Sequence, residues 1–314
     1  MIEMLLQAAQ DALVVLLMPL LTGVQRKVRA RLLGRAGPSI VQPYRDLARL
    51  FRKESVLAEN ASWLFRSAPY VMFTLTWLAA ALVPTFTTVL ALDRAADLIA
   101  LIAILAMARF LLALAGMDVG TAFGGIGTSR EVMIASLAEP AMLLVTFSIA
   151  LVAQSTKLDE IVRFVLAGGV GLEVSLALAL IALVMVAIAE NARIPIDNPS
   201  THLELTMVHE AMVLEYSGRH LALIEAAAML KLLVYASLIA CVFAPWGIAT
   251  AAEPAALAVG LVTYLAKMLV AAIALAVFET SIAKMRVFRV AEFLGGAFAL
   301  ALLATMFRLL TEGA

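Results

Sequence analysis

Arg109, Glu139, Glu173, Glu225, Lys231 and Lys267 stand within otherwise apolar runs, and Glu190 and Glu279 lie near the ends of two of them. In a bilayer each such charge costs roughly 2.5–3.5 kcal/mol at the midplane unless it is paired or hydrated. A plain hydrophobic anchor would not accumulate them. Acids and bases occur together, which predicts pairing across helices and a hydrated polar path. A chain of Glu and Lys hands protons along when neighbouring groups bring their pKa values towards the ambient pH. Glu225 and Lys231 are six residues apart, so neither is the other's i,i+4 partner and each needs a group on another helix. The competing reading is that the pairs only hold helices together.

The other concentration of chemistry is "ENARIPIDNPSTHLELTMVHEAMVLEYSG", residues 190–218. Pro195 and Pro199 break the chain, and Ser200 or Thr201 is placed to cap a helix from about His202 to Tyr216. His202 and His209, seven apart, then share a face. There is no HExxH and no third convincing ligand, which argues against zinc. "GGIG" at 124–127 is a poor nucleotide signal, because no strand precedes it.

The elements that must position these groups follow from composition. Of 314 residues, 64% are hydrophobic and 15% charged, and mean hydropathy is +1.01. That is a membrane composition. Runs long enough to span fall at roughly 4–22, 67–91, 95–117, 131–154, 170–190, 221–245, 255–279 and 289–310. The expectation is an all-α polytopic protein of about eight transmembrane helices, a single membrane domain over 1–314. The runs are too long and continuous for a β-barrel. The first lacks the basic start and small-residue cleavage site of a signal peptide and is read as span one. Cys241 is the only cysteine, so an iron–sulfur cluster or structural zinc held by this chain alone is not expected.

Basic residues set the orientation. Arg26, Lys27, Arg29, Arg31, Arg35, Arg45, Arg49, Arg52, Lys53 and Arg66 follow span one, and Arg130, Arg193, Arg219, Lys284, Arg286 and Arg289 fall in the other odd loops. Even loops hold Arg94, Lys157 and Arg163. The positive-inside rule puts both termini outside and the odd loops, about 23–66, 118–130, 191–220 and 280–288, in the cytoplasm. Arg109 and Glu139 then lie about 12 Å from the inner ends of their helices and Lys231 roughly 15 Å deep. Pro140 predicts a loosened helix beside Glu139, with freed carbonyls to hold water. In the first loop, residues from about Pro43 to Lys53 form an amphipathic helix with Leu47, Leu50 and Phe51 on one face and Arg45, Asp46, Arg49, Arg52 and Lys53 largely elsewhere, suited to lipid headgroups or a docked partner. Without interleaved aromatics it does not suit nucleic acid.

"GRAGPSIVQPYRDLARLFRKE", the 190–218 segment and "AKMRVFRVAEFLG" resemble the membrane subunit of group 4 hydrogenases, the formate hydrogenlyase and hydrogenase-4 type. That family is similar in turn to subunit 1 of respiratory complex I. The resemblance runs through most of the chain. Pro195-Ile196-Asp197 and Glu215-Tyr216-Ser217 parallel complex I elements, but "NPSTHLELTMVHEAMVL" between them is similar to the hydrogenase branch. Gly37-Pro38-Ser39-Ile40 replaces the Gly-Pro-Asn-Arg of complex I, so the quinone surroundings are not reproduced.

The resemblance implies the heel of an L-shaped complex. Cytoplasmic loops would hold hydrogenase-like large and small subunits and an iron–sulfur subunit, and the spans would join antiporter-like membrane subunits. Iron–sulfur clusters and, where retained, a nickel–iron centre would sit in those partners, with no cofactor on this chain. Glu139, Glu190, Glu204, Glu210 and Glu215 match the family's polar path; in complex I the acid comparable to Glu225 comes about one turn later. Lys231, Lys267, Arg109 and Glu279 complete the candidate path. Arg35, Arg45, Asp46, Arg49, Arg193, Asp197, His202, His209, Tyr216 and Arg286 are the candidate docking residues. A quinone-linked complex I-like subunit, a stand-alone ion transporter and a passive anchor are the alternatives; no internal repeat of the transporter kind is visible.

Overall fold

The computed structural model describes residues 1–168, 173–193, 208–282 and 289–312. Within them the chain is helical: α1 Ile2–Leu32, α2 Gln42–Phe51, α3 Trp63–Leu82, α4 Leu98–Asp118, α5 Ala122–Ala153, α6 Leu158–Leu166, α7 Val174–Glu190, α8 His209–Val213, α9 Gly218–Phe243, α10 Pro254–Ser281 and α11 Arg289–Glu312. A helix coincides with each predicted span. Six are long and apolar enough to cross a bilayer by themselves, namely α1, α4, α5, α9, α10 and α11. The other two positions hold α3, of 20 residues, and α7, of 17.

α9 is the hub, packed on α1, α2, α3, α6, α7 and α10. α4 joins α3 to α5, α11 closes over α5 and α7, and α10 lies at an edge, mainly against α1.

Several boundaries differ from expectation. α1 runs on to Leu32, so Arg26, Lys27, Arg29 and Arg31 are its last turns rather than a loop, where cations oppose the negative end of the helix dipole. Pro19 within α1 disturbs the carbonyls of the preceding turn, and the Tyr44 hydroxyl donates to the Leu16 carbonyl. That bond carries α2 along α1. Gly23 permits the approach, since a Cβ there would lie 2.0 Å from the Ile40 oxygen. On α2, Pro43 and Leu47 are buried, and Phe51, on the apolar face expected to meet headgroups or a partner, is 51% exposed.

Span two stops at Leu82, not near 91, because Pro84 follows and lacks a helix donor. The freed backbone is satisfied from α1. Gln10 Nε2 donates to the Val83 oxygen (3.2 Å) and Gln10 Oε1 accepts from Thr85 N (3.2 Å) and Thr85 Oγ1 (2.9 Å). Residues 124–127 are not a loop but the first turns of α5, capped by Thr121. Gly127 lies where a Cβ would meet the Val208 oxygen at 2.8 Å, so "GGIG" serves helix packing. Helix continues on both sides of Pro140. α6, amphipathic, was unforeseen and packs on α5 and α9. Residues 194–207, with the first six residues of the helix expected over 202–216, lie outside the described residues. The described part ends at Val213 because Tyr216 is drawn away: its ring stacks on Phe65 at 4.0 Å and its hydroxyl donates to the Phe65 carbonyl at 3.0 Å.

Candidate functional site: a buried ion chain

α7 is the short element. Seventeen residues rise about 26 Å, less than the ~30 Å hydrocarbon core. It ends at Glu190 beside Arg109, which lies nine residues before the end of α4, or about 14 Å along it. Glu190, at the end of its helix as the sequence predicted, is therefore level with residues well inside α4.

Four residues from four helices form a line: Glu139 (α5), Arg109 (α4), Glu190 (α7) and Lys231 (α9). The Arg109 guanidinium donates through Nη2 to Glu139 Oε1 and through Nη1 to Glu190 Oε1. Lys231 Nζ donates to Glu190 Oε2 at 2.9 Å and to the Glu190 backbone oxygen at 2.7 Å. Lys231 thus neutralises the carboxylate and also caps the carbonyl end of α7. Signs alternate and formal charge sums to zero. Side-chain exposure is 6% for Arg109 and Glu190 but 46% for Glu139. One end of the line reaches the side of the bundle. Unpaired, any of these buried ions would carry a large desolvation penalty.

A cavity of about 120 Å³ opens beside the line, bounded among others by Arg109, Glu131, Glu190, Arg193, His209 and Lys231. One water needs roughly 10–15 Å³ measured this way, so the cavity has room for several. Burial, then the charge of Lys231, pushes the His209 imidazole down to about 4, leaving it neutral near pH 7.

A second group lies at the C-terminal ends of α1 and α10. Glu279 accepts from Gln25 Nε2 at 2.6 Å and pairs with Arg29 at 3.1 Å and Arg193 at 3.5 Å. Glu225 feels the charges of Arg26, Arg193 and Asp46. Arg193 belongs to both groups, since it also bounds the cavity.

Of the expected path residues, then, Arg109, Glu139, Glu190 and Lys231 are in direct contact, while Glu225 and Glu279 join through Arg193. Glu210 and Glu215 are exposed on and after α8. Glu173 precedes α7 and pairs with Arg308 at 3.4 Å. Lys267 stands apart on α10. Among the docking residues, Arg35 and Arg45 are exposed and Arg49 pairs with Asp46 at 3.4 Å. Tyr216 is a correction: it is 4% exposed, held by Phe65, and offers no docking surface. Burial, then Asp118, raises its hydroxyl pKa. Glu204, Asp197, His202 and Arg286 lie outside the described residues. Among the described residues there is no group of three or more His, Cys, Asp or Glu suited to a metal.

Sequence reasoning missed Glu131 and Gln25. Glu131 is the first residue of a predicted span, beside Arg130, a place where a charge does not stand out. Gln25 carries no charge to mark it.

The NADH dehydrogenase family matches residues 6–309. Hydrogenase-4 component C of Escherichia coli (strain K12) is 36% identical over 299 residues, covering 95% of this chain and 94% of that protein. Formate hydrogenlyase subunit 4 of the same organism is 36% identical over 268 residues, covering 85% and 86%. A chain of the membrane-bound sulfane sulfur reductase, an archaeal respiratory membrane complex, has the same fold, with a TM-score of 0.79 at 20% identity over 96% of this chain and 98% of that one. By its length of match and its helical membrane architecture, this chain belongs to the NADH dehydrogenase family.

Proposed function

We propose that this chain is the anchoring and coupling subunit of a hydrogenase- or formate hydrogenlyase-like complex in a prokaryotic cytoplasmic membrane. It docks a cytoplasmic redox arm and links electron transfer to translocation of protons or sodium. Hydrogenase-like large and small subunits and an iron–sulfur subunit would bind its cytoplasmic loops and carry the redox centres. Antiporter-like subunits would adjoin its spans. The identity to the two hydrogenase components favours this assembly over a quinone-linked one.

The observation that carries the coupling role is the line Glu139–Arg109–Glu190–Lys231 beside a cavity with room for water. Both Glu190 oxygens are committed to cations on opposite sides. A charge arriving in the docked arm near residues 191–218 would change that balance. A proton added to Glu190 would leave Arg109 and Lys231 in excess, and a buried net charge is costly. Relief comes by releasing a proton elsewhere along the line, so uptake and release are tied together. Arg193 extends the same electrostatics to Glu279 and Glu225.

Purification through a tag on this chain, with metal analysis, tests the assembly. Co-isolation of hydrogenase-like subunits containing iron, with or without nickel, is expected. A chain that purifies alone and moves ions by itself would favour the transporter reading.

A further inference from the structure

Lys231 and Lys267 are both lysines within long apolar helices, yet their surroundings differ. Lys231 has a carboxylate and a carbonyl. For Lys267, among the described residues, the ionisable group close enough to act on it is the Cys241 thiol, and no carboxylate pairs with it. The acids whose side chains lie outside the described residues are Asp197 and Glu204, in the segment that follows α7, and Glu312, the last residue of α11.

Depth narrows what could pair with it. Lys267 is 13 residues from Pro254 and 14 from Ser281, about 20 and 21 Å along α10. With α10 centred on a ~30 Å hydrocarbon core, Lys267 lies about 15 Å from either headgroup layer. A lysine side chain reaches about 6 Å, too little to snorkel to either surface. Anionic lipid headgroups are therefore out of range.

α10 also has room for a neighbour. It packs chiefly on α1, and Val262 (67% exposed), Val270 (65%) and Leu269 (50%) form an open apolar face. Lys267, half-buried, lies at the rim of that face, towards α9 and Cys241.

We propose that this face of α10 docks a membrane-spanning helix of a second subunit, which presents an aspartate or glutamate to Lys267 at mid-membrane depth. An apolar face alone would suit lipid equally well. The unmatched mid-depth cation selects a protein partner with the opposite charge. The inference rests on the multi-subunit reading above and gives Lys267 an assembly role instead of a place in the proton path.

The test is to isolate the whole complex in mild detergent through a tag on this chain and to quantify each retained membrane subunit. Lys267→Met should reduce one membrane subunit by about tenfold or more, and Lys267→Arg should keep it. Val270→Trp, which leaves the lysine in place but obstructs the face, should release the same subunit. A photo-crosslinker at position 270 should capture it in the wild-type background. If Lys267→Met fails to fold, the position 270 variant and crosslink decide. Full retention in Lys267→Met, or crosslinking to lipid alone, would overturn the proposal. Retained subunits with lost ion translocation would overturn it too and return Lys267 to the path. A wild-type chain isolated without any partner would instead defeat the multi-subunit reading, and this inference with it.

Discussion

Replacing Glu190 by Gln keeps its volume and removes the one negative charge shared by Arg109 and Lys231. Arg109 retains Glu139, and Lys231 retains the Glu190 backbone oxygen at 2.7 Å. The line goes from neutral to one excess positive charge in a site where the Glu190 side chain is 6% exposed. Removing one partner of a buried pair costs about 3–5 kcal/mol. At about 2.1 cal/mol/K of unfolding entropy per residue over 314 residues, the melting temperature falls by roughly 5–8 °C. Lys231→Met leaves the opposite excess and should cost a similar amount. The double variant Glu190→Gln/Lys231→Met is neutral again, with the Arg109–Glu139 pair intact, and should melt above both single variants. For the double variant to melt above both, the coupling energy must exceed either single loss, about 3–5 kcal/mol. Thermal unfolding of the purified complex, followed with ion translocation in vesicles, reads both consequences. Translocation should stay abolished in the double variant even as stability returns, which separates the fold from the function. Single variants that melt with the wild type, or a double variant whose loss is the sum of the two, would refute the charge-balance reasoning.

Three further outcomes are expected. His209 is held near 4 in the folded chain against 6.5 unperturbed, so it binds fewer protons when buried than when open. The packing of α8 is therefore fully favoured above about pH 6.5 and weakens as pH falls towards 4; hydrogen-exchange protection factors of residues 208–213, corrected for the intrinsic exchange rate, should fall across that window and stay constant in His209→Gln. Gly23→Ala puts a Cβ against the Ile40 oxygen, so α2 must shift, at a cost of about 1–3 kcal/mol, and retention of the cytoplasmic arm on purification should fall. Gln25→Leu removes the 2.6 Å donor to buried Glu279 and should cost about 1.5–3 kcal/mol in thermal stability, with Gln25→Glu worse because it adds a like charge.

Charge was the most legible feature of this sequence, because ionisable residues in apolar runs are costly and therefore rare. Arg109, Glu139, Glu190 and Lys231 all stood out for that reason. Their pairing was not legible, since it joins residues up to 81 positions apart on four helices whose relative depth the sequence does not state. The shortness of α7 is what brings Glu190 to Arg109, and hydropathy alone does not say how one helix end lies along its neighbours. Pro84 was a readable stop for span two, but the apolar and threonine residues beyond it masked the signal. The end of α8 was not readable at all, because Tyr216 leaves the helix to stack on Phe65, 151 positions away. Gln25, neutral and flanked by arginine, gave no sign that it reaches Glu279 across 254 positions.

The central claim is that the Glu139–Arg109–Glu190–Lys231 line carries the coupling. Its most direct test is the number of ions translocated per electron in vesicles containing the intact complex, compared between wild type and Glu139→Gln. Glu139 is the half-exposed end of the line and contributes least to its burial, so assembly and electron transfer should persist. The expected result is near-normal electron transfer with the ion-to-electron ratio sharply reduced. An unchanged ratio at normal electron transfer would remove Glu139 from the path and contradict the claim.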